Sequence, residues 1–301
     1  MEKYEKLDID ARVHNWLASY FEGREHSTKF QGSQSSPKQI NASVVQGSGL
    51  GPFSYVVAAS DLRPKTRQYR MHKYADDSFL VGAGCYHNLL GEEMDHVEKW
   101  AKANNLYLNK TKTYEIIFYK RGCKPSGTIP PLYPGIKRID TITILGVTLQ
   151  SNLLMDAHVT RVLGECAGLL YAINTLKAHG MQVPALQEVF RGKILSKLTY
   201  ASPAWSGLAS SENFKRINSF LKRAKRMDFF RVDGLSFENM CSDADETLFK
   251  NIVNNPSHVL HRLLPPIKNV PYNLRTRKHN FTLSLKDDRN FINRMIFKNI
   301  F

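Results

Sequence analysis

Near residue 150 the periodicity of the apolar residues changes class. Before it the chain offers short β-type runs and isolated helical stretches, punctuated by glycine, asparagine and proline. Beyond it Val159, Val162, Leu163, Cys166, Leu169, Leu170, Ile173 and Leu176 make one long stripe at helical spacing, and Leu186, Val189, Phe190, Ile194 and Leu198 make another. Strands with helices first and a helical region after them predict an α+β chain. A third helix, about 211–230, sets Phe214, Ile217, Leu221 and Ala224 against Lys215, Arg216, Lys222, Arg223, Lys225 and Arg226. From about Asp233 the sequence is mixed and polar, with Pro256, Pro265, Pro266 and Pro271, and reads as a loosely attached tail. The expected regions are therefore 1–150, 151–231 and 232–301.

Within the first region, Val13, Trp16, Leu17, Tyr20 and Phe21 share one face of a helix behind a cap at Asp10, and Gly23 ends it. The polar stretch from Ser27 to Lys38 reads as an exposed loop or a weak hairpin. Gln46-Gly47-Ser48-Gly49-Leu50-Gly51-Pro52 is a glycine-rich turn feeding a buried helix over 53–62, with proline in its first turn. Two β-type runs from Tyr69 to Val81 flank Ala75-Asp76-Asp77 and predict a hairpin with both carboxylates at its tip. Leu90, Met94, Val97, Trp100 and Ala101 give an amphipathic helix stopped at Asn104-Asn105. Strand-like residues follow over 113–119, and another strand, with Gly146 inside it, over 141–149.

The 301 residues carry 42 Lys and Arg against 27 Asp and Glu, a formal charge of +15, the sign expected of a surface that meets a polyanion. Charge alone is equally compatible with a basic protein that binds nothing specific. Cys85, Cys123, Cys166 and Cys241 stand far apart without a Cys-x-x-Cys pair or a secretory leader, and read as reduced intracellular thiols. Cys85-Tyr86-His87 and His258-x-x-His261 lack a second ligand pair at zinc spacing. No apolar run approaches the roughly 18 residues of a membrane span.

The chemistry centres on Asp76 and Asp77. Adjacent carboxylates repel unless a cation sits beside them. Magnesium takes one or two protein carboxylates and completes its shell with water and phosphate oxygens, which suits nucleotidyl transfer. In two-metal catalysis the ions lie about 4 Å apart, one activating the attacking hydroxyl and one steadying the leaving pyrophosphate. The plainer reading of an Asp-Asp pair is a polar turn. Gln46-Gly47 offers a side-chain-free approach to a bound base pair, or is a simple helix entry. Lys112 stands at a strand edge, where a lysine is often only solvated. Gly146 permits close passage of another strand, or marks a bulge. Lys215, Lys222, Arg223 and Arg226 would track phosphates, or form a solvated face. Trp100 and Trp205 are assigned to packing.

The order of these elements resembles the polymerase palm of a reverse transcriptase. Val44 to Pro52, Lys73-Tyr74-Ala75-Asp76-Asp77, Trp100-Ala101 with Asn104-Asn105-Leu106 and Leu108-Asn109, Lys112-Thr113 and Leu145-Gly146-Val147 are similar to the enzymes of non-LTR retrotransposons, jockey-like elements among them. Leu198-Thr199-Tyr200-Ala201-Ser202-Pro203-Ala204-Trp205 extends the likeness beyond the palm. The resemblance implies a palm followed by a helical thumb and RNA-directed DNA synthesis. Its implied partners are an RNA template, a DNA primer and deoxynucleoside triphosphates, and its implied cofactor is Mg²⁺, with Mn²⁺ as substitute. It implies metal on Asp76 and Asp77, nucleotide and template at Gln46, Gly47 and Lys112, and primer at the hairpin of Gly146. Family members use a third metal carboxylate on a strand ahead of the first helix, a position this sequence begins just after. Asp8 and Asp10 fall at the start of that helix and read as caps. Fingers, first aspartate and endonuclease are expected to be absent, and the isolated chain is expected to have little polymerase activity. The alternative is a basic nucleic-acid-binding remnant without catalysis.

Overall fold

The computed structural model describes residues 2–40, 48–119, 130–230, 236–268, 279–298 and 300. It is an α+β chain that divides into two compact units, Met1–Glu115 with Thr128–Arg138, and Ile116–Gly127 with Ile139–Phe301.

The first unit opens with one turn, α1 (Glu2–Glu5), and then α2 (Ala11–Phe21), where the Asp10 carboxylate accepts the Arg12 N–H at 2.8 Å as an N-cap. The polar stretch after it is two nested antiparallel ladders, β2 (Lys29–Phe30) with β3 (Ser33–Gln34) inside β1 (Glu25–His26) with β4 (Lys38–Gln39). Helix α3 spans Leu50–Ala58, three residues ahead of its predicted start, because Ser48 turns the chain by accepting the Gly51 N–H at 3.0 Å. The predicted hairpin is present: β5 (Tyr69–Tyr74) pairs antiparallel with β6 (Asp77–Gly82), from Tyr69 opposite Gly82 to Tyr74 opposite Asp77. Helix α4 (Leu90–Ala103) follows. The strand predicted over 113–119 shrinks to β7 (Tyr114–Glu115), paired in parallel with β8 (Lys137–Arg138). Asn109 curls the preceding residues into a 3-10 turn by accepting the Lys112 N–H at 3.3 Å. Apolar packing is thin here, with Tyr4, Leu17 and Val57 as one buried cluster.

In the second unit the single strand predicted over 141–149 is a hairpin, β9 (Thr141–Ile144) with β10 (Val147–Gln150). Leu145 and Gly146 reverse the chain with φ of 45° and 83°, the two left-handed residues that match a hairpin's twist. Helix α5 (Asp156–Ala178) buries Val159, Val162, Cys166, Leu170 and Ile173. Then α6 (Val183–Val189), a π turn over Phe190–Leu195 and α7 (Ser196–Thr199) run on as one helical rod. Leu186, Phe190, Ile194 and Leu198, four apart, face the core together. A short α8 (Ser202–Trp205) precedes the basic α9 (Ser211–Arg226).

The loose tail expected after Asp233 is corrected over its first half. Ser236 caps α10 (Phe237–Asn254), and Phe237, Met240 and Cys241 join the main core. Interleaved Glu238, Asp243, Asp245 and Glu246 dilute this stripe in the sequence. Helix α11 (Phe291–Lys298) docks on α10 through the ion pair of Arg294 with buried Asp245 at 3.0 Å. The units divide at 138/139, whereas the periodicity changes near 150, because side chains from the helices hold the β9–β10 hairpin. Among the described residues no helix is long and apolar enough to cross a membrane.

Candidate functional site

The tip of the β5–β6 hairpin is the two residues Ala75 and Asp76, and Asp77 opens the return strand opposite Tyr74. Both aspartates are exposed, and among the described residues neither carboxylate has a hydrogen-bond or ion-pair partner. Ala75 adopts φ 49°, a left-handed conformation that glycine or asparagine takes more readily. Such an outlier persists only where the surroundings over-determine it. Here the strand is fastened two residues earlier: the Lys73 ammonium donates to the carbonyls of Ala59, in a short bond, and of Leu62 at 3.0 Å. The Ala59 carbonyl lies at the carboxyl end of α3, where a cation complements the helix dipole. Burial pulls the Lys73 ammonium below its ordinary range, and the charge of Arg63 adds to that. Tyr55 of α3 stands near enough to feel the tip, since burial and then the Asp76 charge raise its phenol. The helix fed by the glycine-rich turn is thus tied to the carboxylate hairpin.

The other approach to β5 is held by Glu93 of α4, whose side chain is fully buried. It accepts the backbone N–H groups of Lys65 at 2.8 Å and Thr66 at 2.7 Å, and the Thr66 hydroxyl at 2.6 Å. These bonds hold its carboxyl below the usual range although burial pushes the other way. Lys3, Asp61 and Trp100 form a further tie, with Trp100 half-buried and its indole N–H donating to Asp61 at 3.0 Å.

Gln46 and Gly47 lie outside the described residues. Lys112 is exposed and makes no ion pair among the described residues, whereas Lys110 is spent on Glu98 and the ring of Tyr133. Asp10 is the cap expected of it, and the Arg12 side-chain and backbone donors lower its carboxyl. As a donor set, two exposed, unpartnered carboxylates suit a hard divalent cation that keeps water and phosphate oxygens in its shell. Among the described residues no three His, Cys, Asp or Glu side chains stand close enough to share a metal.

The remaining predicted residues belong to the second unit. Gly146 occupies the β9–β10 turn with the Tyr200 ring beneath it, and an added Cβ would sit 3.1 Å from Tyr200 Cε1. On α9, Lys215, Lys222, Arg223 and Arg226 are exposed, opposite buried Ile217, Leu221 and Ala224. Lys215, Lys222 and Arg226 recur at i, i+7 and i+11, a stripe along one helix face about 16 Å long. Trp205 is fully packed in the core.

Sequence reasoning missed the tie made by Lys73 and the anchor made by Glu93. Glu93 carried a signal: it occupies a core-facing position of an amphipathic helix, between Leu90 and Val97. Lys73 carried none, since its partners are backbone carbonyls.

Residues 1–149 match the family model described as reverse transcriptase (RNA-dependent DNA polymerase). Over 242 residues the chain is 28% identical to "Probable RNA-directed DNA polymerase from transposon BS" of Drosophila melanogaster, covering 75% of this chain and 26% of that protein. It is 24% identical over 237 residues to the corresponding protein from transposon X-element of the same organism, covering 74% and 25%. With "RNA-directed DNA polymerase from mobile element jockey" of Drosophila melanogaster the identity is 29% over 160 residues, covering 48% and 17%. The chain thus spans about a quarter of the length of the first two relatives. No solved structure matches it.

Proposed function

Through residues 1–149 the chain belongs to the reverse transcriptase (RNA-dependent DNA polymerase) family, and from that premise we propose that it serves RNA-directed DNA synthesis of a non-LTR retrotransposon with Asp76 and Asp77 as metal-binding carboxylates. The observation that carries the reading is the β5–β6 tip, with its two exposed carboxylates on a hairpin fastened by Lys73 to the helix of the glycine-rich turn. In this reading residues 1–150 are the palm and the helices of 151–231 are the thumb.

Asp76 and Asp77 would hold Mg²⁺, or Mn²⁺ in its place, which when bound supplies charge neutralisation for phosphoryl transfer. Gln46 and Gly47 would line the nucleotide and template, and Lys112, exposed and without an ion pair among the described residues, would sit near the triphosphate. The Gly146 turn would meet the primer, and Lys215, Lys222, Arg223 and Arg226 would follow phosphates along a strand. The described residues contribute two carboxylates where the family's two-metal scheme uses three, so the 301-residue chain alone is expected to extend primers weakly or not at all.

The test is a chimera in which the matching segment of the jockey polymerase is replaced by this chain's residues, assayed by primer extension on a homopolymer template. Extension that falls about 100-fold or more in Asp76→Asn and in Asp77→Asn is the expected result, given the several kcal/mol a bound metal supplies to the transition state. Extension indifferent to both substitutions sinks the reading. A second reading, nucleic-acid binding without catalysis, is favoured by the exposed basic stripe on α9. It wins if the chain binds primer–template in a salt-dependent manner while the chimera incorporates nothing.

A further inference from the structure

The turn at Leu145 and Gly146 is built from outside itself. Two carbonyls face away from a two-residue hairpin turn, and here both are occupied by side chains from distant elements. Tyr200 donates its hydroxyl to the Leu145 carbonyl at 3.1 Å, and Arg161 donates Nη2 to the Gly146 carbonyl at 2.6 Å. Arg161 also donates Nε to the Thr148 hydroxyl at 3.0 Å, and Glu165 takes its remaining nitrogen at 2.7 Å. The N–H groups of Leu145 and Gly146 have no partner among the described residues. The turn therefore presents donors with its acceptors already satisfied.

Tyr200 is itself carefully placed. The next residue, Ala201, is left-handed with φ 50°, and the fully buried Trp205 donates its indole N–H to the Tyr200 carbonyl at 3.0 Å. A strained residue and a core tryptophan thus fix the backbone of a tyrosine that is 55% exposed. Packing gains little from so exposed a ring. What the arrangement secures is the bond to Leu145 and the support beneath Gly146.

Resting on the reading of the Gly146 hairpin as a primer contact, we infer that Arg161 and Tyr200 are positioning residues that hold this turn with its two amide donors outward, toward a backbone phosphate of the primer strand. Neither need touch the reacting atoms. They set the orientation of the groups that meet the nucleic acid, and a polyanion is the partner that an acceptor-free edge on a basic chain favours.

The experiment is fluorescence anisotropy of the full chain with a primer–template bearing a recessed 3′ end and with the same duplex made blunt. Tyr200→Phe removes one exposed oxygen and keeps the ring under Gly146, so the melting temperature should stay within a few degrees of the parent. Its affinity for the recessed end should fall about three- to tenfold, the worth of one hydrogen bond, with blunt-duplex affinity unchanged. Arg161→Met should act in the same direction, and Arg161→Lys should rescue it only partly, since an ammonium cannot fork to Gly146 and Thr148 together. Lys222→Ala should weaken both duplexes alike. If the parent prefers the recessed end and Tyr200→Phe and Arg161→Met leave that preference intact, the positioning role is wrong while the primer reading stands. If the parent shows no preference or binds neither duplex, the primer reading fails and takes this inference with it.

Discussion

The tips of the β5–β6 and β9–β10 hairpins are of equal length and differ in chemistry. Each is a two-residue turn entered through a left-handed, non-glycine residue, Ala75 at φ 49° in one and Leu145 at φ 45° in the other. The first ends in carboxylates that have no partner among the described residues, an acceptor surface suited to cations. In the second, Tyr200 and Arg161 consume the carbonyls and leave bare amides, a donor surface suited to phosphate. The anchoring differs in the same sense. One hairpin is held by an ammonium, Lys73, on the carbonyls of Ala59 and Leu62; the other is held by the Arg161 guanidinium together with the neutral imidazole of His158, whose Nδ1 accepts the Thr148 N–H at 3.2 Å. A turn's backbone sets where its groups lie, and side chains from elsewhere decide which of them remain available.

Acid should separate the two most sharply. Burial, with the Arg161 charge adding to it and Glu165 opposing, pushes His158 down to about 4 from its ordinary 6.5. Between those values the unfolded chain binds more protons than the folded one. The stabilisation is therefore complete above pH 6.5 and is lost as pH falls toward 4, up to about 3 kcal/mol in all. Protonation also removes the acceptor that Thr148 uses. The urea midpoint of the parent should drop through this window by more than that of His158→Gln. Amide protection factors should fall over 147–150 without a matching fall over 69–82, since the histidine within β5–β6, His72, makes no side-chain hydrogen bond among the described residues. Equal loosening of both hairpins would show that they are not separately anchored.

The same contrast explains what could be read from the sequence. The β5–β6 hairpin, α2 with its Asp10 cap, α5 and the basic face of α9 are local patterns, and each was legible at its own positions. Gly146 was read inside a strand because Leu145, a poor candidate for a left-handed residue, hides the turn. Helix α10 was hidden by acidic residues between its apolar ones. The anchors were illegible because each binds backbone far away in sequence: Lys73 across 14 residues to Ala59, Glu93 across 28 to Lys65, Tyr200 across 55 to Leu145. A side chain that recognises a carbonyl or an amide leaves no complementary residue type to find.

Gly146→Ala probes the second tip alone. Its φ of 83° strains any residue with a Cβ, and that Cβ would press on Tyr200 Cε1 at 3.1 Å. A loss of about 1 to 2 kcal/mol is expected in chemical denaturation. A neutral outcome would mean that Tyr200 yields readily, and that it does not brace the turn.

Ala75→Gly is the mirror experiment and should give the smallest effect with the opposite sign. Relief of the left-handed strain, worth about 1 to 2 kcal/mol, outweighs the roughly 0.5 to 1 kcal/mol that glycine loses through its freer unfolded chain. The net should be a gain of about 0.5 kcal/mol in urea unfolding. A loss would mean that the Ala75 methyl makes a stabilising contact and that its conformation is not strained. With the gain confirmed, the same substitution in the active chimera separates two uses of that strain. If alanine restricts where Asp76 can point, the freer glycine should lower the extension rate even as it stabilises the fold.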